Sequence, residues 1–247
     1  IGGETVSWNR QDPACTVLEP LYQPGRTMCI LYARPAEPYR TVFAFLAKDA
    51  ADGVIRPDDC ETRAFLQDLP VAEALETKAL ATVLELRKCT VLPDAGVVAA
   101  GADPSQAYVN FSAACFAAFV KFFADTLRAR RNGEFPAARS DAFSRACGYM
   151  REPVVFKEGL MRGPFKNEAD VRQAISEAGR EMIRRGLVDA CFGNVSYRMD
   201  KTLYITASGS FLDELERDVV TADLQDGTCT AGRPSSELPA HMEIAAS

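Results

Sequence analysis

The sequence predicts a layered α/β or α+β fold. Three observations carry that reading. Short β-rich apolar runs alternate with amphipathic helical segments along the 247 residues. Near the carboxy-terminal end, Asn194–Arg198 and Thr202–Thr206 are joined by the short Met199-Asp200-Lys201 turn, the pattern of an antiparallel hairpin. Hydrophobic residues make up 47% and charged residues 25%, too apolar for disorder and sufficient for a sizeable core. The length suits one large domain or two small ones.

In the first block, Thr27–Tyr32 (TMCILY) reads as a buried strand. A helix follows over Glu37 to Ala50, with Val42, Phe45 and Leu46 on one face. Thr77–Leu86 is a second helical segment, and Cys89–Leu92 and Val97–Ala100 are short strands. Pro104 opens a long apolar helix to Arg130, where its missing N–H costs nothing. Asn110, Ser112 and Lys121 interrupt the richest part of that run, Ala107 to Phe123, so a buried core helix is expected and not a membrane span. The polar stretch Arg128–Arg139 (RARRNGEFPAAR) reads equally as a linker between two blocks or as a frayed helix end and loop within one domain.

The second block opens on Asn167, which can cap a helix from Glu168 to Arg185 with Asp170 in its first turn. Val171, Ile175, Ala178 and Met182 define its expected buried face, and Gly186 ends it. After the hairpin comes a strand over Val219–Leu224, closed by an Asp226-Gly227 turn.

The formal net charge of −6 and the pI near 5.0 argue against a nucleic-acid or anionic-membrane surface, while leaving room for a small basic pocket. The eight cysteines are scattered with no CxxC or CxC pair, which disfavours a zinc ribbon or redox dithiol. Most read as buried thiols in a reducing cytoplasm. The chain opens Ile1-Gly2-Gly3 without a methionine and stops in mid-pattern at Ala245-Ala246-Ser247, so both ends are read as truncated.

Three polar loops carry candidate chemistry: Gly193-Asn194 before a strand, Thr206-Ala207-Ser208-Gly209 after its hairpin partner, and Pro234-Ser235-Ser236-Glu237 before an apparent helix. Backbone N–H groups and small hydroxyls on tight turns are what an anion such as phosphate requires. Glu237 suits an acid or base. Each loop taken singly is also an ordinary turn or capping sequence.

In order, Gly186-Leu187-Val188, Gly193-Asn194-Val195-Ser196-Tyr197-Arg198, Ile205-Thr206-Ala207-Ser208-Gly209, Asp218-Val219-Val220, Asp226-Gly227 and Pro234-Ser235-Ser236-Glu237-Leu238-Pro239-Ala240-His241 resemble the class II aldolase/adducin family. The resemblance covers about Phe165 to Ser247. It implies a three-layer α/β/α fold with a mainly antiparallel central sheet and a homo-oligomer, commonly a tetramer. It assigns Gly193, Asn194, Ser208, Gly209, Ser235 and Ser236 to a substrate phosphate, and Glu237 to moving the proton next to the carbonyl of a small phosphorylated sugar or related hydroxy-carbonyl compound. Desolvation of Glu237 by the pocket would match it to that task. The family's zinc is implied as cofactor. His241, the chain's only histidine, reads as a packing residue or a support to other site groups, so no metal ligand is assigned here.

The first block resembles, more loosely, the tail half of the same domain with its histidines gone. Tyr32-Ala33-Arg34-Pro35 stands where an H-x-H-P pair is expected, and Ala95 stands where a third histidine precedes Gly-Val-Val. On that reading residues 1–130 are a degenerate tail half and residues 140–247 a head half. The chain is then a piece of a tandem protein or a permuted, metal-free domain. The function implied is a metal-assisted lyase. An epimerase or dehydratase on the same scaffold and a non-catalytic adducin-like module are the alternatives.

Overall fold

The computed structural model describes residues 13–23, 25, 27–150, 160–188, 191–230 and 232–246. These fall into two units, Ile1–Arg151 and Glu152–Ser247, and each is considered by itself.

The first unit runs α1 (Pro13–Leu18), a 3-10 turn at Glu19–Leu21, β1 (Cys29–Ala33), α2 (Tyr39–Asp49), β2 (Val54–Ile55), α3 (Cys60–Leu66), β3 (Leu69–Pro70), α4 (Thr77–Leu84), β4 (Cys89–Val91), β5 (Val97–Gly101), α5 (Pro104–Arg131) and α6 (Ala137–Gly148). Its main sheet has the order β1-β5-β4, antiparallel throughout, with Ala33 opposite Val97 and Val91 also opposite Val97. Alternation along the strands sends Val98, Ile30 and Tyr32 into a cluster with Leu18 and Leu21 at the amino-terminal turns and Leu80 on α4. The long helix α5 begins where expected. Asp103 accepts from the Gln106 N–H at 2.7 Å, Pro104 occupies the first turn, and three arginines complement the dipole at the far end.

By length and composition α5 is apolar enough to cross a membrane, but 56% of its most apolar window is buried inside the protein. A run of small residues makes that burial possible. Ala107, Ala113, Ala114, Ala117 and Ala118 are fully buried, and Phe122 packs edge-on against Phe45 of α2 at 5.4 Å.

Two expectations are corrected in this unit. The inner face of α2 is Val42, Phe43 and Leu46; Phe45 is only half-buried, because its ring lies beside Phe122 and under the Arg139 guanidinium at 4.8 Å. Arg128–Arg139 is not a linker. α5 continues to Arg131, the chain turns through Asn132 and Gly133, and α6 starts at Ala137. α6 buries Ala142 and Ala146, and Phe143 stacks with Phe123 and Phe135. The division between units falls after Arg151.

The second unit contains α7 (Glu168–Arg184), β6 (Ser196–Met199), β7 (Thr202–Thr206), β8 (Val219–Asp223) and α8 (Leu238–Ala246). Asn167 caps α7 by accepting from the Asp170 N–H at 2.9 Å, and Gly186 stops it in the left-handed region at φ +64°. The sheet order is β6-β7-β8, antiparallel. Met199 pairs with Thr202 across a two-residue turn at Asp200-Lys201, so the hairpin is tighter by one residue than expected.

The buried face of α7 is Val171, Ile175, Ser176 and Gly179, with Met182 packed at its edge; Ala178 is only half-buried. The rotation has a steric cause. The loop after β7 lays Leu212 and Leu215 on the helix, and a Cβ at Gly179 would stand 2.3 Å from the Leu212 carbonyl oxygen. Only glycine admits that backbone. The antiparallel character expected of the sheets holds in both units, within a mixed α/β chain.

Gly179→Ala is therefore expected to lower stability by about 2 kcal/mol, as overpacking against fixed backbone does. Gly148→Ala, where nothing lies within 4 Å, is the control and should cost nothing. Urea unfolding of both variants checks this, and equal midpoints would remove the close approach from the account.

Candidate functional site

The three loops of the second unit meet at one end of its sheet. Asn194 lies two residues ahead of Ser196, the first residue of β6, and both side chains reach His241. Gly193 leads into them at φ +82°, where a Cβ would also press to 2.9 Å from Val188. The β6 entrance is tied to the end of β7 by one backbone bond and one to a side chain, Thr206 N–H to the Val195 carbonyl at 3.1 Å and Val195 N–H to the Thr206 hydroxyl at 3.2 Å.

The second and third loops are joined by a short antiparallel bridge between Ala207 and Pro234. Ser208 N–H donates to the Arg233 carbonyl at 2.9 Å, and Ser235 N–H donates to the Thr206 carbonyl at 3.0 Å. From there the chain enters α8. The buried Ser235 accepts the Glu237 N–H on its hydroxyl at 3.3 Å, and its carbonyl accepts the Leu238 N–H at 3.0 Å.

α8 carries the third loop back onto the first. Asn194 Nδ2 donates to Glu237 Oε2 at 2.9 Å. His241, one turn further along the helix, places Nδ1 2.7 Å from the Ser196 hydroxyl and Nε2 within a hydrogen bond of Asn194 Oδ1. Arg198 on β6 donates to the Ala245 carbonyl near the end of α8 and fixes the helix at its other end.

Of the residues assigned from the sequence, Asn194 and Glu237 touch directly, and Ser235 is bonded to the Glu237 backbone. Ser208, Gly209, Ser236 and Gly193 lie exposed around them, with Ser208 held through the Arg233 carbonyl. Asn194 is half-buried and Glu237 exposed, so hydroxyls and backbone of tight turns lie beside a carboxylate at the surface. Glu237 is itself exposed, and the desolvating enclosure expected around it is not formed by these residues.

Sequence reasoning missed Ser196 as the partner of His241. The signal was present: Ser196 follows Asn194 by two, on the same face of the expected strand. His241 does take the supporting place expected of it, with both ring nitrogens engaged.

In the first unit, the β1–β5 register brings Arg34 beside the Leu92–Gly96 turn. Arg34 Nε donates to Asp94 Oδ2 at 3.0 Å, and Asp94 Oδ1 accepts the Gly96 N–H at 3.1 Å. Ala95 is buried in the left-handed region at φ +65°, an uncommon place for a residue with a Cβ. So of the positions read as lost metal ligands, Arg34 is paired with Asp94, the neighbour of Ala95. Asp94 and Ala95 also line a groove of about 520 Å³ with Arg40, Lys48 and Arg145. Among the described residues no group of three or more His, Cys, Asp or Glu could hold a metal ion. The zinc implied by the resemblance does not fit the residues present, and no step is derived through it.

Partial burial alone pushes the Asp94 carboxyl up, but the Arg34 bond and the Gly96 N–H hold it below the usual 3.8. A depressed carboxylate contributes stability that is full above that value and is lost as pH falls through the lower native one. Asp94→Asn should therefore lower the urea midpoint at neutral pH and flatten its decline in acid. Parallel pH curves for variant and parent would show that the ion pair is without effect.

This chain is similar to several known proteins. Residues 173–247 match the model of the class II aldolase and adducin N-terminal domain. A probable bifunctional methylthioribose-1-phosphate isomerase/methylthioribulose-1-phosphate dehydratase of Nocardia farcinica is 32% identical over 112 residues, 44% of this chain and 20% of that protein. L-fuculose phosphate aldolases of Methanococcus vannielii and Methanococcus maripaludis are 45% and 43% identical over 53 residues, 21% of this chain and 29% of each enzyme. The chain thus spans less than a third of the length of these relatives. Among solved structures, L-fuculose-1-phosphate aldolase from Thermus thermophilus aligns with 50% of this chain and 65% of its own at 20% identity and a TM-score of 0.39.

Proposed function

We propose, from the premise that residues 173–247 belong to the class II aldolase and adducin N-terminal domain family, that this chain supplies the anion-binding and proton-transfer groups of an aldolase-type lyase. Its substrate would be a small phosphorylated sugar or related hydroxy-carbonyl compound, cleaved by retro-aldol chemistry. The observation that carries this reading is the 2.9 Å bond from Asn194 to Glu237, which joins the first and third loops into one site. In cleavage the β-hydroxyl gives up its proton, the carbon–carbon bond breaks, and the enediolate left behind takes a proton at carbon; Glu237 as the acid would deliver that proton, and as the carboxylate would remove it in the reverse direction. Ser208, Gly209, Ser235, Ser236 and the Gly193-Asn194 turn supply short donors for the phosphate. The three-layer α/β/α fold, a homo-oligomer and a cytoplasmic setting belong to the same proposal. The six free cysteines found among the described residues are compatible with a reducing compartment. Any divalent metal would need ligands beyond those the described residues supply.

A dehydratase on the same scaffold is the second reading, favoured by the likeness to the Nocardia protein. Both reactions include a proton transfer at the carbon next to a carbonyl, after bond cleavage in the lyase and before loss of water in the dehydratase. A non-catalytic adducin-like module is favoured by the Arg34–Asp94 ion pair at the positions without histidines.

Proton–deuteron exchange next to the carbonyl of dihydroxyacetone phosphate, followed by NMR in heavy water, tests the proposal. The parent chain is expected to catalyse exchange, and Glu237→Gln to slow it by about 10²–10⁴-fold without loss of folding. Equal exchange by the variant would take the role away from Glu237. Phosphate binding without exchange in either chain would favour the interaction module.

A further inference from the structure

We propose that His241 is a positioning residue, held as the neutral Nε2–H tautomer, which orients the Asn194 amide and so decides which oxygen of Glu237 is free to take a proton. The donors and acceptors around Asn194 form a chain with one consistent direction.

An ionised carboxylate only accepts, so the Asn194 atom 2.9 Å from Glu237 Oε2 must be its NH₂ group. That leaves Asn194 Oδ1, which also only accepts, facing His241 Nε2. Nε2 must therefore carry a proton. In the neutral ring Nδ1 is then the bare nitrogen, and it accepts from the Ser196 hydroxyl at 2.7 Å. Protons thus point from Ser196 to His241, from His241 to Asn194, and from Asn194 to Glu237.

The opposite arrangement is self-consistent only if every link reverses. An Nδ1–H ring would donate to Ser196 and present bare Nε2 to Asn194. The amide would have to flip, and its carbonyl would then meet Glu237 Oε2, which is tolerable only if that oxygen is protonated. The tautomer of His241 and the charge on Glu237 are therefore locked together through one amide.

A consequence for chemistry follows, and this part rests on Glu237 being the proton-transfer group. Oε2 is occupied by the Asn194 N–H, so Oε1 is the oxygen that receives the substrate proton. In that step the C–H proton passes to Oε1, and the bonding pair stays on the substrate as the enediolate. Asn194 is then a bridge between His241 and Glu237 by its side chain, and only its backbone turn remains for the phosphate.

Because His241 is the only histidine, its ring nitrogens can be observed without ambiguity. Long-range ¹H–¹⁵N correlation of the ¹⁵N-labelled chain, at a pH where the ring is neutral, should show a protonated Nε2 and a bare Nδ1. A directly visible, slowly exchanging Nε2–H proton is also expected, and it should disappear in Asn194→Ala. A protonated Nδ1, or an Nε2–H that exchanges as fast in the parent as in Asn194→Ala, would overturn the proposal. The measurement does not depend on turnover. If the tautomer is as stated and no substrate exchange occurs, the lyase reading fails while the positioning role stands.

Discussion

The second unit's site depends on a short piece of backbone pairing, the bridge that sets Ala207 against Pro234. Two N–H···O bonds flank it, from Ser208 to Arg233 and from Ser235 to Thr206, and they make the entry to α8 a continuation of the β6-β7-β8 sheet. Without it the third loop would have no fixed distance to the first, since more than thirty residues separate them in sequence. With it, α8 starts at a set height above β6, and Glu237 and His241 descend on Asn194 and Ser196 one helical turn apart. Everything polar at the site follows from that placement.

The pairing also explains why the network is fully used. Asn194 spends its amide on Glu237 and His241, and His241 spends both ring nitrogens on Asn194 and Ser196. Satisfied polar networks limit the arrangements, because reversing any single link leaves two acceptors or two donors facing each other. The apolar side of the unit works differently. There α7 is brought against Leu212 and Leu215 by the absence of a side chain at Gly179, a constraint of shape alone. One face of the unit is specified by hydrogen-bond direction and the other by volume.

Much of this was legible in the sequence. Helix caps are local chemistry, so Pro104, Asn167 and Gly186 marked real boundaries. The hairpin was readable because period-two alternation survives on both sides of a tight turn. The Asn194, Ser235 and Glu237 loops were legible as motifs, and the structure brings them together. The rotation of the α7 face and the burial of Phe43 in place of Phe45 were not legible, because they are decided by what packs against the helix. Between the linker and the helix-end-and-loop readings of Arg128–Arg139 the sequence could not choose, for a related reason, and the second is the one found. Charge and a Gly-Pro pair mark a turn, but only the aromatic stacking of Phe143 on Phe123 and Phe135 shows that the chain returns to the same unit.

The two units use their polar residues in contrasting ways. In the second, the Asn194 amide donates to a single carboxylate oxygen of the exposed Glu237. In the first, the turn around Ala95 is closed by Arg34 on Asp94, and Asp94 also accepts the Gly96 N–H. Both acceptor oxygens are committed and the guanidinium is always charged. Such a pair holds a turn in place and has no proton to exchange near neutral pH. The first unit thus spends both oxygens of one carboxylate on holding a turn, whereas the second bonds one oxygen of an exposed carboxylate to the amide that also meets its histidine.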